Sequence, residues 1–260
     1  MGANNIMAVA SVVIKELYRR KDFYVLFILT ALIVLILGAQ NIFNISNITN
    51  YLKEICLLLI WVSSIAIALP MAARQIPVEL EKRTLYSLLS KPITKSEVII
   101  GKFFGCWIAT GFCLLVFYAF LYVISISRSS DIILASYFQA LALHIFGIGI
   151  IISMTIAGAL LFSAPSSNIT INAIVVLGIM ILGRYLHRFA ITISEPAQTI
   201  VTIIYYLIPH LEFYDVRELV IHNWDPILWR YFFAACGYAA LYIIIFLAIA
   251  CLLFRRLQMK

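Results

Sequence analysis

An all-α, polytopic membrane fold is what this sequence predicts, with six transmembrane helices, an N-terminal interfacial helix and a helical loop between the second and third spans. Three observations carry that expectation. Of 260 residues, 64% are hydrophobic and 12% charged, too little polar surface for a soluble chain of this length. The mean hydropathy of +1.04 is concentrated in continuous runs close to the ~20 residues that cross a bilayer as a helix. Those runs do not alternate polar and apolar residues as barrel strands do.

Residues 1–22 form the first unit. Ile6, Val9, Val13 and Leu17 recur at helical spacing, with Lys15, Arg19 and Arg20 off that stripe, the pattern of an amphipathic helix lying on the inner leaflet. Charged residues stand just before the first apolar run and no small-residue cleavage site closes it, so the run is expected to be a retained span. Residues 23–260 then form a single six-span domain. Span 1 covers about Phe23–Ala39. The Asn-rich loop Gln40–Asn50 holds two chance-level sequons at Asn44 and Asn47. Span 2 covers about Tyr51–Ala73, with Lys53 placed to snorkel at its outer end. The polar interruption 74–101 follows, then span 3 (Lys102–Ser127), span 4 (Ile132–Ser163), a tight turn at Ala164–Asn168 and span 5 (Ile169–Gly183). The mixed segment 184–229 contains the apolar run Ala197–Ile208. At 12 residues, bracketed by Pro196 and Pro209, this run suits a re-entrant or interfacial helix better than a seventh span. Span 6 covers Arg230–Phe254.

Thirteen of the nineteen Lys and Arg residues fall on one side if both termini share it, and the positive-inside rule makes that side the cytoplasm. The formal charge of +7 is then explained by anionic lipid rather than nucleic acid. Cys56, Cys106, Cys113, Cys236 and Cys251 all lie in apolar runs with no C-x-x-C pair, as small buried hydrophobes do. No tight ligand spacing points to a metal, and no catalytic constellation stands out.

The interruption is the most informative stretch. Pro77 suits a first helical turn. Val78, Leu80, Leu85, Leu88 and Leu89 cover one half of the following wheel, and Glu79, Lys82, Arg83, Tyr86 and Ser87 the other. Lys91–Pro92 stops this helix. Thr94 and Glu97, in T-K-S-E, make a capping box for the next, and Ile93 and Val98 occupy the positions of a hydrophobic staple. A push on the loop should therefore move span 3. Gly101, Gly105 and Ala109 in span 3, and Gly149, Ser153 and Ala157 in span 4, form small-residue stripes that allow close helix approach. Gln139 and His144 lie at depth in span 4, candidates for a pathway or for ordinary hydrogen bonds between helices. His210 and Glu212, with His187, His222 and Asp215, are candidates for an outer polar cap. Arg184 and Arg188 could pair with Glu195, Glu212 or lipid phosphate.

The run R-x-x-P-x-E-x-x-x-x-T-L-x-x-L-L-S-K-P-I-x-x-x-E-x-x-x-G-K-F-x-G, from Arg74 to Gly105, resembles the pattern of ABC-2-type (type V exporter-like) permeases. Supporting segments are Ile14–Leu17 and Ile208–Arg217. The likeness is to the branch of multicopper-enzyme-maturation permeases, similar to the nitrous-oxide-reductase accessory permease. It implies a half-transporter in a prokaryotic inner membrane, with two copies each docked to a separate ABC ATPase subunit. The helix Val78–Ser90 would be the coupling helix. Its ATPase-coupling residues would be Glu79, Leu80, Lys82, Arg83, Thr84, Leu85, Leu88 and Leu89, with Pro77, Pro92, Thr94 and Glu97 as cap and hinge. The chain lacks G-x-x-x-x-G-K-[ST], since Gly101–Lys102 is followed by Phe103 and no glycine stands at position 96. It is expected to bind no cofactor itself, with ATP and Mg on the partner. Two other readings stay open: a mechanical transmitter acting on a periplasmic protein, and an ATPase-independent scaffold or intramembrane enzyme.

Overall fold

A computed structural model of the chain describes residues 2–19, 24, 27–29, 31–33, 36, 48–82, 93–127, 133–162, 164–192, 195 and 197–256. The described residues are mostly helical and include no strand. The elements are α1 (Gly2–Tyr18), α2 (Ile48–Arg74), α3 (Pro77–Glu81), α4 (Lys95–Ile126), α5 (Leu134–Leu161), α6 (Pro165–Thr192), α7 (Ala197–Leu207), a 3-10 turn (Leu211–Tyr214), α8 (Arg217–Ile221) and α9 (Trp229–Arg256).

Four helices among the described residues are long and apolar enough to cross a membrane: Asn50–Glu81, Lys95–Ile126, Leu134–Leu161 and Trp229–Arg256. In α6 the apolar part is Pro165–Ile181. Most of expected span 1 lies outside the described residues, although Tyr24, Phe27 and Ala31 are helical and Phe27 stacks on Phe117 of α4 at 5.2 Å. Pro165 opens α6 inside the expected turn, because proline's missing N–H costs nothing in a first turn.

The core centres on α5. Of its apolar window 72% is buried, against 22% for α9 at the periphery. Helices α2, α4 and α9 pack around α5. The stripe on α5 takes two neighbours at once: a Cβ built at Gly149 would lie 2.9 Å from both Ile243 Cδ1 of α9 and Trp107 Nε1 of α4. Trp107 donates that N–H to the Ile145 carbonyl at 2.8 Å, so the indole is both packed and satisfied.

The stripe on α4 receives α1, not another span. A Cβ at Gly101 would lie 2.7 Å from Val9 Cβ, and one at Gly105 would lie 2.6 Å from Val13 Cβ. The four-residue step is matched on both helices, so α1 runs alongside the start of α4. The apolar stripe expected to face the inner leaflet thus has a protein partner. Val9 and Val13 of the apolar stripe, with Ala10, are buried against protein, because two glycines remove the side chains that would hold α1 away. At 32 residues, α4 is ~48 Å long against a ~30 Å hydrocarbon core. Its exposed large apolar side chains begin at Ile108, beyond the part that α1 covers.

Candidate functional site

The helix start expected at Pro77 is present. α2 ends in a turn at Gln75 and Ile76, and α3 opens on Pro77. Its C-cap Lys82 donates its N–H to the Val78 carbonyl at 3.0 Å. Arg83, Thr84, Leu85, Leu88, Leu89 and Pro92 lie outside the described residues. Leu80 packs against the core, and Glu81 and Lys82 are exposed. Pro77, Leu80 and Glu81 form one wall of an open groove of about 540 Å³; Leu160, Phe162 and Pro165 are on the other.

Glu79 departs from the wheel. Instead of joining Lys82 on a solvated face, it reaches Lys102 Nζ at 2.8 Å. Lys102 is 1% exposed and also donates to the Gln75 carbonyl at 2.7 Å. An ammonium taken out of water needs a counter-charge and hydrogen-bond acceptors; Glu79 and Gln75 supply them from either side of the α2–α3 turn. Lys102, counted above as an ordinary cytoplasmic charge, is therefore a buried clamp. Its position inside the apolar run Val98–Phe104 was the available signal.

The capping box is formed as the T-K-S-E spacing predicts. Glu97 N–H donates to Thr94 Oγ1 at 3.3 Å, and Thr94 N–H to Glu97 Oε2 at 2.7 Å. Asn5 of α1 donates to Glu97 at 3.4 Å, a contact that spacing alone could not reveal. The end of α9 joins here too, where Lys95 donates to the Phe254 carbonyl at 3.4 Å. The start of α4 thus gathers α1, α3 and the end of α9.

Deeper in the bundle, His144 is a satisfied histidine. Ser64 donates its hydroxyl to the Trp61 carbonyl at 2.7 Å, so its oxygen is free to accept from His144 Nε2–H at 2.9 Å. His144 Nδ1 is then the acceptor for Tyr118 O–H at 3.4 Å. Hydrogen bonds run from α4 through α5 to α2, ending on a backbone carbonyl, and Trp61 stacks on the imidazole at 6.0 Å. The adjoining cavity, walled by Trp61, His144, Gly147 and Tyr214, measures about 10 Å³, room for about one water.

At the opposite end the segment after α7 is pinned to the spans. Gln139 exchanges two bonds with the Ile227 backbone, both 2.8 Å, and Ser136 donates to the Trp224 carbonyl at 3.0 Å. Lys53 does not snorkel. It is buried and donates to Asn223 Oδ1 at 2.8 Å and to the Val220 carbonyl at 3.4 Å, with Asn223 held at φ 51, which asparagine tolerates. Tyr214 packs where a Cβ on Gly147 would stand, 2.9 Å from its own Cβ. His210 Nδ1 lies 2.9 Å from Glu212 Oε1. Asp215 grips Arg217 at 2.6 and 2.9 Å, and this hydrogen-bonded carboxylate raises the guanidinium pKa further. His222 stacks on Trp224. The side chains of Arg184, His187 and Arg188 lie outside the described residues. No group of three or more metal-ligating side chains occurs among the described residues.

A multi-pass helical bundle with a short helix ion-paired to the head of a long span defines an integral membrane component. Residues 7–259 match the family model described as ABC-2 family transporter protein. The chain belongs to that family and is a membrane component of an ABC transporter. A search of curated proteins finds no match.

Proposed function

We propose that this chain is the permease subunit of an ATP-driven exporter in a prokaryotic inner membrane. It has six spans, with both termini cytoplasmic, and works as a pair of copies with two separate ABC ATPase subunits. ATP and Mg bind to those partners. α3 and the residues that follow it to Ser90 form the coupling helix, with Lys82, Arg83, Thr84, Leu85, Leu88 and Leu89 toward the ATPase. Pro77, Pro92, Thr94 and Glu97 fix its ends.

The observation that carries this reading is the Glu79–Lys102–Gln75 clamp beside the Thr94–Glu97 capping box. A force on α3 passes through a buried ion pair into the head of a 32-residue helix. The switch between inward- and outward-facing states is then a rigid-body motion of α4 with the elements bound to it. The test is copurification with a tagged ABC ATPase subunit from the same organism. Lys82→Glu and Leu85→Asp should abolish capture, while Glu195→Gln at the opposite end should not. Full capture by both coupling variants would remove α3 and its continuation from the interface.

One observation favours a second reading, a mechanical transmitter to a periplasmic protein of metalloenzyme maturation. The segment after α7 is bonded to α5 and α2 through Gln139, Ser136 and Lys53, so helix motion would be delivered to that surface without a solute. Retention of a periplasmic protein on the assembled complex, dependent on nucleotide, distinguishes this reading from export.

A further inference from the structure

A cavity of about 220 Å³ lies between α6 and α7, lined by Val175, Gly178 and Ile179 of α6 and by Tyr205 and Ile208 from the α7 side. Gly178 makes the room. A Cβ built there would meet nothing within 4 Å, so α7 packs along α6 without filling this notch. His210 also lines the cavity, but its polar edge is engaged elsewhere. Its Nδ1 lies 2.9 Å from Glu212 Oε1, and its ring packs against Tyr205 at 4.4 Å. The rest of the lining is aliphatic or aromatic. Water would find almost no hydrogen-bond partner here, and apolar cavities stay dry.

The cavity is not enclosed, and the surface around it is apolar. Val175–Ile179 falls within the apolar part of α6, Pro165–Ile181. At neighbouring positions α6 exposes Ile174 and Leu177, and α7 exposes Ile203 and Leu207. In a membrane component such side chains meet lipid tails, which are as apolar as leucine. A tail entering the cavity therefore gains no hydrophobic energy. It gains dispersion, because side chains beside a void forfeit their contacts on that side and a seated chain restores them. An apolar cavity of ~150 Å³ takes the six carbons of benzene, so one of about 220 Å³ takes a segment of roughly eight carbons. That is part of a phospholipid tail, and the remainder would run on into the bilayer.

We propose that this cavity binds one acyl chain of a bilayer phospholipid, seated in the Gly178 notch between Val175 and Ile179 of α6 and Tyr205 and Ile208 beside it. The site is independent of the transport reading and is tested by occupancy alone.

The test places the full-length chain in phosphatidylcholine nanodiscs doped with phosphatidylcholine that carries a diazirine at mid-chain or at the chain end. After irradiation, mass spectrometry of the digested chain locates the label. It should concentrate on residues 175–179 and 205–208, at least fivefold above Ile244, an exposed side chain of α9 that meets bulk lipid. Gly178→Leu fills the notch and should reduce the label there to the Ile244 level, with the native melting midpoint kept because its side chain enters open space. Val175→Phe fills the same cavity from the next turn and should act likewise. Gly237→Leu is the control. Its Cβ also meets nothing within 4 Å, but it stands on α9, outside this lining, and labelling of the cavity should be unchanged. The proposal is overturned if the cavity is labelled no more densely than Ile244, or if the label persists in both filling variants. It is equally overturned if Gly178→Leu leaves the label unchanged and converts paired chains to single ones, which would assign the cavity to a second copy.

Discussion

Replacing Lys102 by methionine is the sharpest probe of how α3 is joined to α4. Methionine keeps most of the side-chain volume and removes the ammonium that lies 2.8 Å from Glu79 and 2.7 Å from the Gln75 carbonyl. Removing one member of a buried pair typically costs ~3–5 kcal/mol, most of it the penalty on the charge left behind. That charge is Glu79, whose side chain is 21% exposed against 1% for Lys102. Glu79 can therefore regain part of its hydration, which places Lys102→Met near the lower bound, ~3 kcal/mol. Glu79→Gln strands the more deeply buried partner and should cost at least as much. The double variant has neither charge and should be no less stable than the worse single. The coupling energy from the cycle is then at least the cost of the milder single, ~3 kcal/mol. The assay is reversible unfolding of the full-length protein in mixed micelles, each variant compared with the native chain. Costs of the two single variants that add in the double to within ~0.5 kcal/mol would show that the pair makes no joint contribution. In the assembled transporter, the double variant should bind ATPase yet lose nucleotide-driven movement of α4, read by a spin-label distance across the membrane.

Other outcomes follow from the same geometry. Gly105→Val should separate α1 from α4, because even a Cβ there lies 2.6 Å from Val13 Cβ, and proteolysis of α1 should quicken by roughly tenfold or more for ~1–3 kcal/mol of overpacking. Gly111→Ala is the control: its Cβ would meet only Ile145 Cγ2 at 3.9 Å, so protection of α1 should be unchanged. Gln139→Leu removes both bonds to the Ile227 backbone, and amide exchange around residue 227 should speed up by roughly tenfold or more for ~1–3 kcal/mol of lost satisfaction. Ser64→Ala leaves His144 Nε2–H without its acceptor and should destabilise the chain by ~1–3 kcal/mol in the micelle assay, whereas an unchanged midpoint would argue against the proton placement derived for His144.

Local signals were legible in the sequence, and tertiary ones were not. The capping box at Thr94 and Glu97 and the Pro77 helix start could be read because their partners stand within four residues. The close-approach stripes at Gly101–Gly105 and Gly149 were visible as stripes, but their partners were not. Which helix fills a glycine notch depends on packing across the whole bundle, and α1 took the place expected for a span. Charged residues were the main source of error. Lys53, Glu79 and Lys102 all read as solvent- or lipid-facing, since a side chain flanking an apolar run ordinarily snorkels. Each instead meets a partner between 23 and 170 residues away, a separation that helical periodicity cannot register. Gln139 and His144 were flagged by their depth, but depth alone cannot separate a pathway from an interhelical bond. Both side chains do make such bonds, at 2.8 and 2.9 Å to protein partners.

The distribution of these bonds sets which parts can move together. Around the head of α4, Asn5 ties in α1, Glu79 ties in α3, and the Phe254 carbonyl ties in the end of α9. These four segments are joined at the head of α4, and α2 reaches them through Gln75 at the turn before Pro77 as well as by packing along α4. A hinge absorbs its dihedral change at element ends, so Gln75–Ile76 is where α3 can rotate relative to α2. Ile76 is fully buried, so this turn cannot swing freely into solvent, and rotation there has to be matched by repacking beneath it. If α3 moves, that repacking would carry the motion into α4 through the Glu79–Lys102 pair rather than let it dissipate in the turn. That property suits a transmitter of work better than a passive tether between spans.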